Sequence, residues 1–313
     1  MSHTTTMPTR RLGDSEIEVS VLGLGCNNFG RRVDLDGTRR VIDAALDEGV
    51  TFLDTADIYG GAGSSEELMG QVLEGRRDRF VLATKFGMDM GDGREDRGSA
   101  SYVRQAVENS LRRLRTDHID VYWYHQPDGI TPIEETLGAL DELVKAGTVR
   151  AIGCSNFDAG QLDEADRVAR ENGVARFVAV QNEYSLLRRE IEQEVVPAAQ
   201  RLGLSVVPYF PLASGLLTGK YRRGEDPPEG TRLHGRDKLA SDEEWETLEA
   251  LATFADERGI GMLDVAIGGL AAQPAVASVI AGATKPEQVE ANARAAEWAP
   301  SGADLDTLRA SAR

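Results

Sequence analysis

Cysteine and histidine are scarce in this 313-residue sequence, with two of the first and four of the second. Cys26 and Cys154 are far apart and form no C-x-x-C pair. That argues against structural zinc or a disulfide framework, so no metal site is expected, and it fits a reducing compartment with the cytoplasm as default. Basic residues are also in deficit: 35 Lys and Arg stand against 52 Asp and Glu, a formal net charge of -17. Such a field repels nucleic-acid phosphates and anionic lipid surfaces, so neither is an expected partner. An anionic ligand needs a local cluster of donors. Long apolar runs are missing too. Residues 1–10 are polar and read as a loose tail, not as a secretory signal. The stretch 261–283 is broken by Asp264, Gln273 and Pro274, leaving nothing long enough to span a bilayer.

What is present is a rhythm. Hydrophobic residues make up 41% of the chain, enough for a large core. Short apolar runs occur at 19–24, 51–54, 80–84, 119–124, 149–154, 177–180, 204–209 and 276–280. Stretches of helical spacing lie between them, such as Tyr102, Ala106, Leu111 and Leu114, or Ile133, Leu137, Leu140 and Val144. Most end in glycine (Gly49, Gly147, Gly173, Gly203), which supplies the left-handed cap of a helix before the next strand. Ahead of the rhythm, Arg11-Leu12-Gly13 and Ile17–Leu22 flank the turn-forming Asp14-Ser15 as a hairpin. The alternation predicts an α/β fold, a closed (β/α)8 TIM barrel with an N-terminal β-hairpin, as a single domain over residues 1–313. A doubly wound dinucleotide-binding sheet fits less well, because Asn28 stands where the third glycine of G-x-G-x-x-G belongs. Gly215–Tyr221 is one residue short of a phosphate loop, and Gly153–Phe157 lacks the closing glycine of a nucleophile elbow.

In such a barrel, the carboxyl ends of the strands converge on one mouth. Three runs end in chemistry there: Thr51–Asp54 in an acid, Val81–Lys85 in an amine, Val121–His125 in an imidazole. The loop after Asp54 adds the phenol of Tyr59. Singly, Asp54 reads as a helix cap, Tyr59 as a core aromatic, Lys85 as a solvated charge and His125 as a satisfied buried imidazole. Together they suit proton donation by a phenol. A free tyrosine has a pKa of about 10, and an ammonium within ~4–6 Å lowers it. Asp54 would fix the lysine, and His125 would orient the reacting oxygen. With neither an activated nucleophile nor a metal-ligand pattern, the set suits protonation of a carbonyl oxygen as hydride arrives better than ester hydrolysis.

These residues resemble the aldo-keto reductases, (β/α)8 oxidoreductases that use a nicotinamide cofactor. The similarity runs through Gly23–Cys26, Phe52–Gly60, Thr84–Gly87, His125–Asp128, Ile152–Phe157, Gln181–Tyr184 and Pro208–Tyr221, in family order and over nearly the whole chain. The resemblance implies that Tyr59 is the general acid, Lys85 its pKa modulator, Asp54 the lysine's partner and His125 the carbonyl orienter. It places Ser155, Asn156 and Gln181 on the nicotinamide carboxamide, Tyr209 against the ring, and Gly25, Cys26 and Asn27 along the cofactor edge. Phe210, Pro211, Leu212, Ser214, Lys220 and Arg232 resemble the stretch that folds over the pyrophosphate, and Gly282, Thr284, Gln288 and Asn292 match the adenosine 2′-phosphate site.

The chain departs from the family pattern at that last site. Some branches carry Lys at the position of Gly282 and Arg at that of Gln288; without them, preference for NADPH over NADH rests on Thr284, Gln288 and Lys285. The resemblance implies a small-molecule carbonyl substrate and leaves a monomer as the default. It also leaves a second function open, a cofactor-binding regulatory subunit like the potassium-channel beta subunits. That branch usually has Asn where this chain has His125, which favours an enzyme. Specificity falls to the loops 86–97, 126–130 and 212–238 and the tail after residue 299, with Phe29, Met88, Met90 and Trp123 as pocket candidates that core packing explains equally well.

Overall fold

Each apolar run becomes one stave of a barrel in a computed structural model that describes residues 7–236 and 238–311. A hairpin precedes the barrel, with β1 (Thr9–Arg11) antiparallel to β2 (Glu18–Ser20) and Thr9 opposite Ser20. The pairing starts within the segment expected to be a loose tail. Met7 is buried, and the Arg10 guanidinium donates to the carbonyls of Ala271 and Val276 at 2.5 and 2.7 Å, so the tail reading is corrected for residues 7–10. Residues 1–6 lie outside the described range.

Eight parallel strands follow: β3 (Leu22–Gly25), β4 (Phe52–Asp54), β5 (Val81–Phe86), β6 (Ile119–Tyr124), β7 (Val149–Ser155), β8 (Phe177–Gln181), β9 (Ser205–Val206) and β10 (Val279–Gly282). They pair in chain order from β3 to β9, and β10 lies against β3. Beyond the regular ladders, Val206 N–H donates to the Ala275 carbonyl (2.7 Å), Ala277 N–H to that of Val206 (3.0 Å) and Ile280 N–H to that of Pro208 (3.0 Å), which closes the ring between β9 and β10. The fold is thus the expected barrel with its hairpin. Two runs are shorter in the sheet than their hydrophobicity suggests. The run 204–209 keeps two ladder residues, and its Pro208 has no N–H to donate. The run 19–24 is divided between hairpin and barrel on either side of Val21.

Helices fill the connections as their spacing predicts, Ala100–Leu114 and Ile133–Lys145 among them. Gly173 and Gly203 take positive φ at the ends of the helices Ala159–Asn172 and Val195–Leu202, the conformation that a side chain would strain. Inside the ring, Phe52, Trp123, Val207 and Ile280 pack with Leu12, Ile17 and Val19 of the hairpin segment. Burial of these apolar side chains stabilises the ring at roughly 25 cal/mol per Å² removed from water, and the hairpin plugs its amino-terminal end. The carboxyl-terminal end is left as the mouth.

Candidate active site

The three chemical strand ends meet at that mouth. Lys85, on β5, is wholly buried and donates to Asp54 Oδ2 at 2.5 Å and to the Thr55 carbonyl at 2.7 Å. Past Asp54 the loop stays on the neighbouring strand, with Thr55 N–H donating to the Ala83 carbonyl (2.9 Å) and Asp57 N–H to that of Lys85 (3.1 Å). This zipper delivers Tyr59 to the lysine, whose Nζ lies 4.9 Å from the centroid of the phenol ring. The chain then turns at Gly60 with φ of +74°, where a Cβ would come within 2.6 Å of the Phe29 carbonyl oxygen. His125 follows β6 and meets the Tyr59 ring edge-on, centroids 5.9 Å apart. The four residues expected to act together therefore converge.

Their electrostatics differ from expectation in one respect. Burial raises the pKa of Tyr59 above the ordinary phenol value and outweighs the opposing pull of Lys85. Lys85 makes the phenol more acidic than burial alone would leave it, yet does not bring it below a free tyrosine. The proton thus stays on Tyr59 at neutral pH, as a donor requires. Burial acts to discharge Lys85, but Asp54 and then Tyr59 hold its pKa up. His125 is pushed down to about 3 by burial and by the positive charge of Lys85, which leaves a neutral imidazole. Its Nδ1 is buried without a partner among the described residues.

A cavity of about 970 Å³ runs from Tyr59 and His125 to Thr284 and Gln288. Gly25, Asn27, Asn156, Gln181 and Tyr209 line it, as do the expected residues from Phe210 to Ser214, Lys220, Arg232, Gly282 and Asn292. Tyr209 donates to Asn156 Oδ1 (2.8 Å), and Asn156 Nδ2 donates to the His125 carbonyl (3.0 Å), so three strand ends are tied together. Gln181 Nε2 donates to Asp54 Oδ1 at 3.1 Å. At the far end, Gln288 Oε1 accepts from both N–H (2.7 Å) and hydroxyl (3.1 Å) of Thr284. Phe210, Ala213 and Ser214 all take positive φ, as does Gly215. Such a run of strained backbone is held only where its surroundings over-determine it, and left-handed turns of this kind form anion-binding concavities. The length of the cavity, its amide-lined floor and this strained turn fit an extended nucleotide.

Four expected residues do not line the cavity, one of them the exposed Lys285. Lys85 lies behind its wall, and Ser155 is covered at the end of β7. Cys26 is fully buried with its thiol directed at the Leu24 carbonyl, a packing residue and not a cofactor edge. Among the pocket candidates, Met88 lines the cavity while Phe29 and Trp123 are core. Sequence reasoning missed Asn28, Arg32 and Ile58 on the wall, whereas Gln126 and Glu229–Thr231, which also line it, fall within the loops expected to set specificity. It also passed over Asp57, a buried carboxyl within the Asp54–Tyr59 loop whose pKa burial and then Glu66 push up to about 8.

Fold and mouth together define a (β/α)8 barrel of the enzyme kind, its reactive groups gathered at the carboxyl ends of the strands. Comparison with known proteins agrees: residues 21–312 match the Aldo/keto reductase family. A protein of Bacillus subtilis named "Uncharacterized oxidoreductase YrpG" is 39% identical over 297 residues, covering 91% of this chain and 90% of that protein. "Aldo-keto reductase YhdN" of the same organism is 36% identical over 299 residues, 92% and 88% of the two chains. A rice protein named "Probable voltage-gated potassium channel subunit beta" is 35% identical over 305 residues, 94% and 92% of the two. The chain belongs to the aldo/keto reductase family and is an oxidoreductase. Among the described residues, no helix is long and apolar enough to cross a membrane.

Proposed function

We propose that this chain, acting as one barrel domain in the cytoplasm, reduces a small aldehyde or ketone to the alcohol with NADPH. The observation that carries the reading is the buried Lys85–Asp54 pair set beneath the Tyr59 ring, with a neutral His125 against its edge. The dinucleotide, when bound, would supply hydride. Tyr59 holds the proton for the carbonyl oxygen. Lys85 limits the cost of the negative charge that develops on the phenol as that proton leaves, and Asp54 fixes the lysine. His125, kept neutral, can donate a hydrogen bond to the carbonyl without competing as an acid. Asn156 and Gln181 suit the carboxamide and Tyr209 the ring face, while Lys220 and Arg232 suit the phosphates. Thr284, Gln288 and Asn292 suit the adenosine end, and the amide Nε2 of Gln288 can donate to a 2′-phosphate because the amide oxygen is taken by Thr284. The test is a panel of aldehydes and ketones followed by loss of reduced-nicotinamide absorbance, run with NADPH and NADH. Turnover with NADPH is expected.

The name of the rice relative supports a second reading, a nucleotide-holding regulatory subunit. His125 favours the enzyme. Tight cofactor retention without turnover across the panel would favour the subunit.

A further inference from the structure

We propose that Arg31 and Arg32, on the loop after β3, act with Arg232 as an arginine clamp that closes across the cavity on a phosphate group of the bound dinucleotide. This inference rests on the dinucleotide reading of the cavity.

The first observation is charge in the wrong place. The chain carries 52 carboxylates against 35 Lys and Arg, so an arginine has acidic neighbours to choose from. Yet among the described residues Arg31, Arg32 and Arg232 form no ion pair. They are neighbours of one another instead: burial first, then Arg32, Arg31 and Arg236, lower the proton affinity of Arg232. Like charges gathered without a counter-charge repel, and the arrangement becomes favourable when an anion enters it. Guanidinium forks match phosphate oxygens in geometry, so a phosphate is the anion they suit.

The second observation is that both sides of the clamp are built. Arg32 and Arg232 line the same cavity. The N–H groups of Arg31, Arg32 and Val33 converge on the Asn28 carbonyl at 3.3, 2.9 and 3.1 Å, which winds the loop into a tight turn. Asn28 Nδ2 reaches the Ala283 carbonyl at 3.4 Å and so anchors that turn beside the adenosine end. The Arg232 guanidinium, for its part, lies 5.5 Å from the centroid of the Phe210 ring, on the strained turn of the 210–215 segment. The clamp thus joins the end of β3 to the segment after β9. It supplies cationic charge to a cavity that has Gly282 and Gln288 where charged residues are expected in some branches of the family.

The test is direct nucleotide binding, independent of turnover. NADP+ and NAD+ are titrated separately into the wild-type chain, Arg32→Gln, the double variant Arg31→Gln/Arg32→Gln and Arg31→Lys/Arg32→Lys, followed by calorimetry at low and high KCl. Arg31 and Arg32 are both exposed, so the free variants should unfold at the wild-type temperature. The double glutamine variant is expected to lose at least tenfold in affinity and most of its salt dependence, with the lysine pair retaining part of both. Loss confined to NADP+ assigns the clamp to the 2′-phosphate; equal loss with NAD+ assigns it to the diphosphate. Affinities within threefold of wild type for both nucleotides overturn the clamp and leave the dinucleotide reading standing. A wild-type chain that binds neither overturns that reading, and the clamp with it.

Discussion

Asp54 is held from two sides, by Lys85 at Oδ2 and by Gln181 at Oδ1, so a single carboxylate links the amide on the cavity floor to the ammonium beneath Tyr59. All three side chains are buried, which makes the arrangement costly to leave incomplete. Gln181→Leu removes the neutral donor and should cost about 1–3 kcal/mol of stability in urea unfolding, with a fall in kcat as the lysine loses its fixed partner. Gln181→Glu sets a second carboxylate against Asp54 and should do more harm, increasingly so above the carboxylate range. Equal damage from Leu and Glu at every pH would show that Asp54 does not feel this side chain.

Breaking the ion pair is a sharper experiment. Lys85→Met leaves Asp54 buried without its cation, a change that costs about 3–5 kcal/mol when one member of a buried pair is removed. Replacing both, as Asp54→Asn/Lys85→Met, should recover much of that stability while reduction stays lost. Denaturant midpoints and kcat measured on the same samples separate the two effects. A double variant that regained turnover would remove Lys85 from the mechanism.

Tyr59→Phe keeps the ring and discards the proton. The expected result is a fall in kcat of roughly 10²–10⁴, the range of general-acid catalysis, with dinucleotide affinity within about threefold of wild type. The pH profile follows from the same residue. Tyr59 has its pKa raised by burial and keeps its proton through neutrality, and His125, at about 3, is already neutral. Reduction should therefore be flat from pH 5 to 8 and fall only at strongly alkaline pH, with no inflection in the ordinary histidine range. An acid limb centred near pH 6.5 would show that His125 titrates in the working enzyme.

Much of this site could be read before the fold was known, because its residues announce themselves locally. Asp54, Lys85 and His125 each close an apolar run, and strand polarity alone carries such residues to one mouth. Tyr59 is reached by a loop too short to wander. Charge and burial that depend on distant chain segments could not be read in that way. Nothing in Arg31-Arg32 distinguishes them from surface charge until the segment around residue 232 lies beside them. The net direction of the Tyr59 shift is likewise illegible in the sequence, where the lysine is visible and the depth of burial is not. Cys26 sits next to Gly25 in the chain, but its side chain points into the core, and adjacency to a motif did not make it part of the cavity.

Asp57 extends the same point to stability. Its carboxyl is buried, Oδ1 has no partner among the described residues, and burial followed by Glu66 pushes its pKa up to about 8 from an ordinary 3.8. Arg113, which donates to Glu66 Oε2 at 2.6 Å, and Lys85 oppose that shift without cancelling it. The folded chain therefore holds a proton that the unfolded chain releases. This contribution is fully present below about pH 4 and is lost progressively as pH rises through 8. Asn has the shape of the protonated acid and never ionises. Asp57→Asn should accordingly match wild type near pH 4 and exceed it increasingly up to pH 9, with Tm higher by on the order of 1–2 °C for each kcal/mol recovered. Thermal unfolding of both proteins across that range is the measurement. Parallel Tm curves would mean that Asp57 is charged in the folded state at neutral pH, stabilised by Arg113 and Lys85 more than its burial allows.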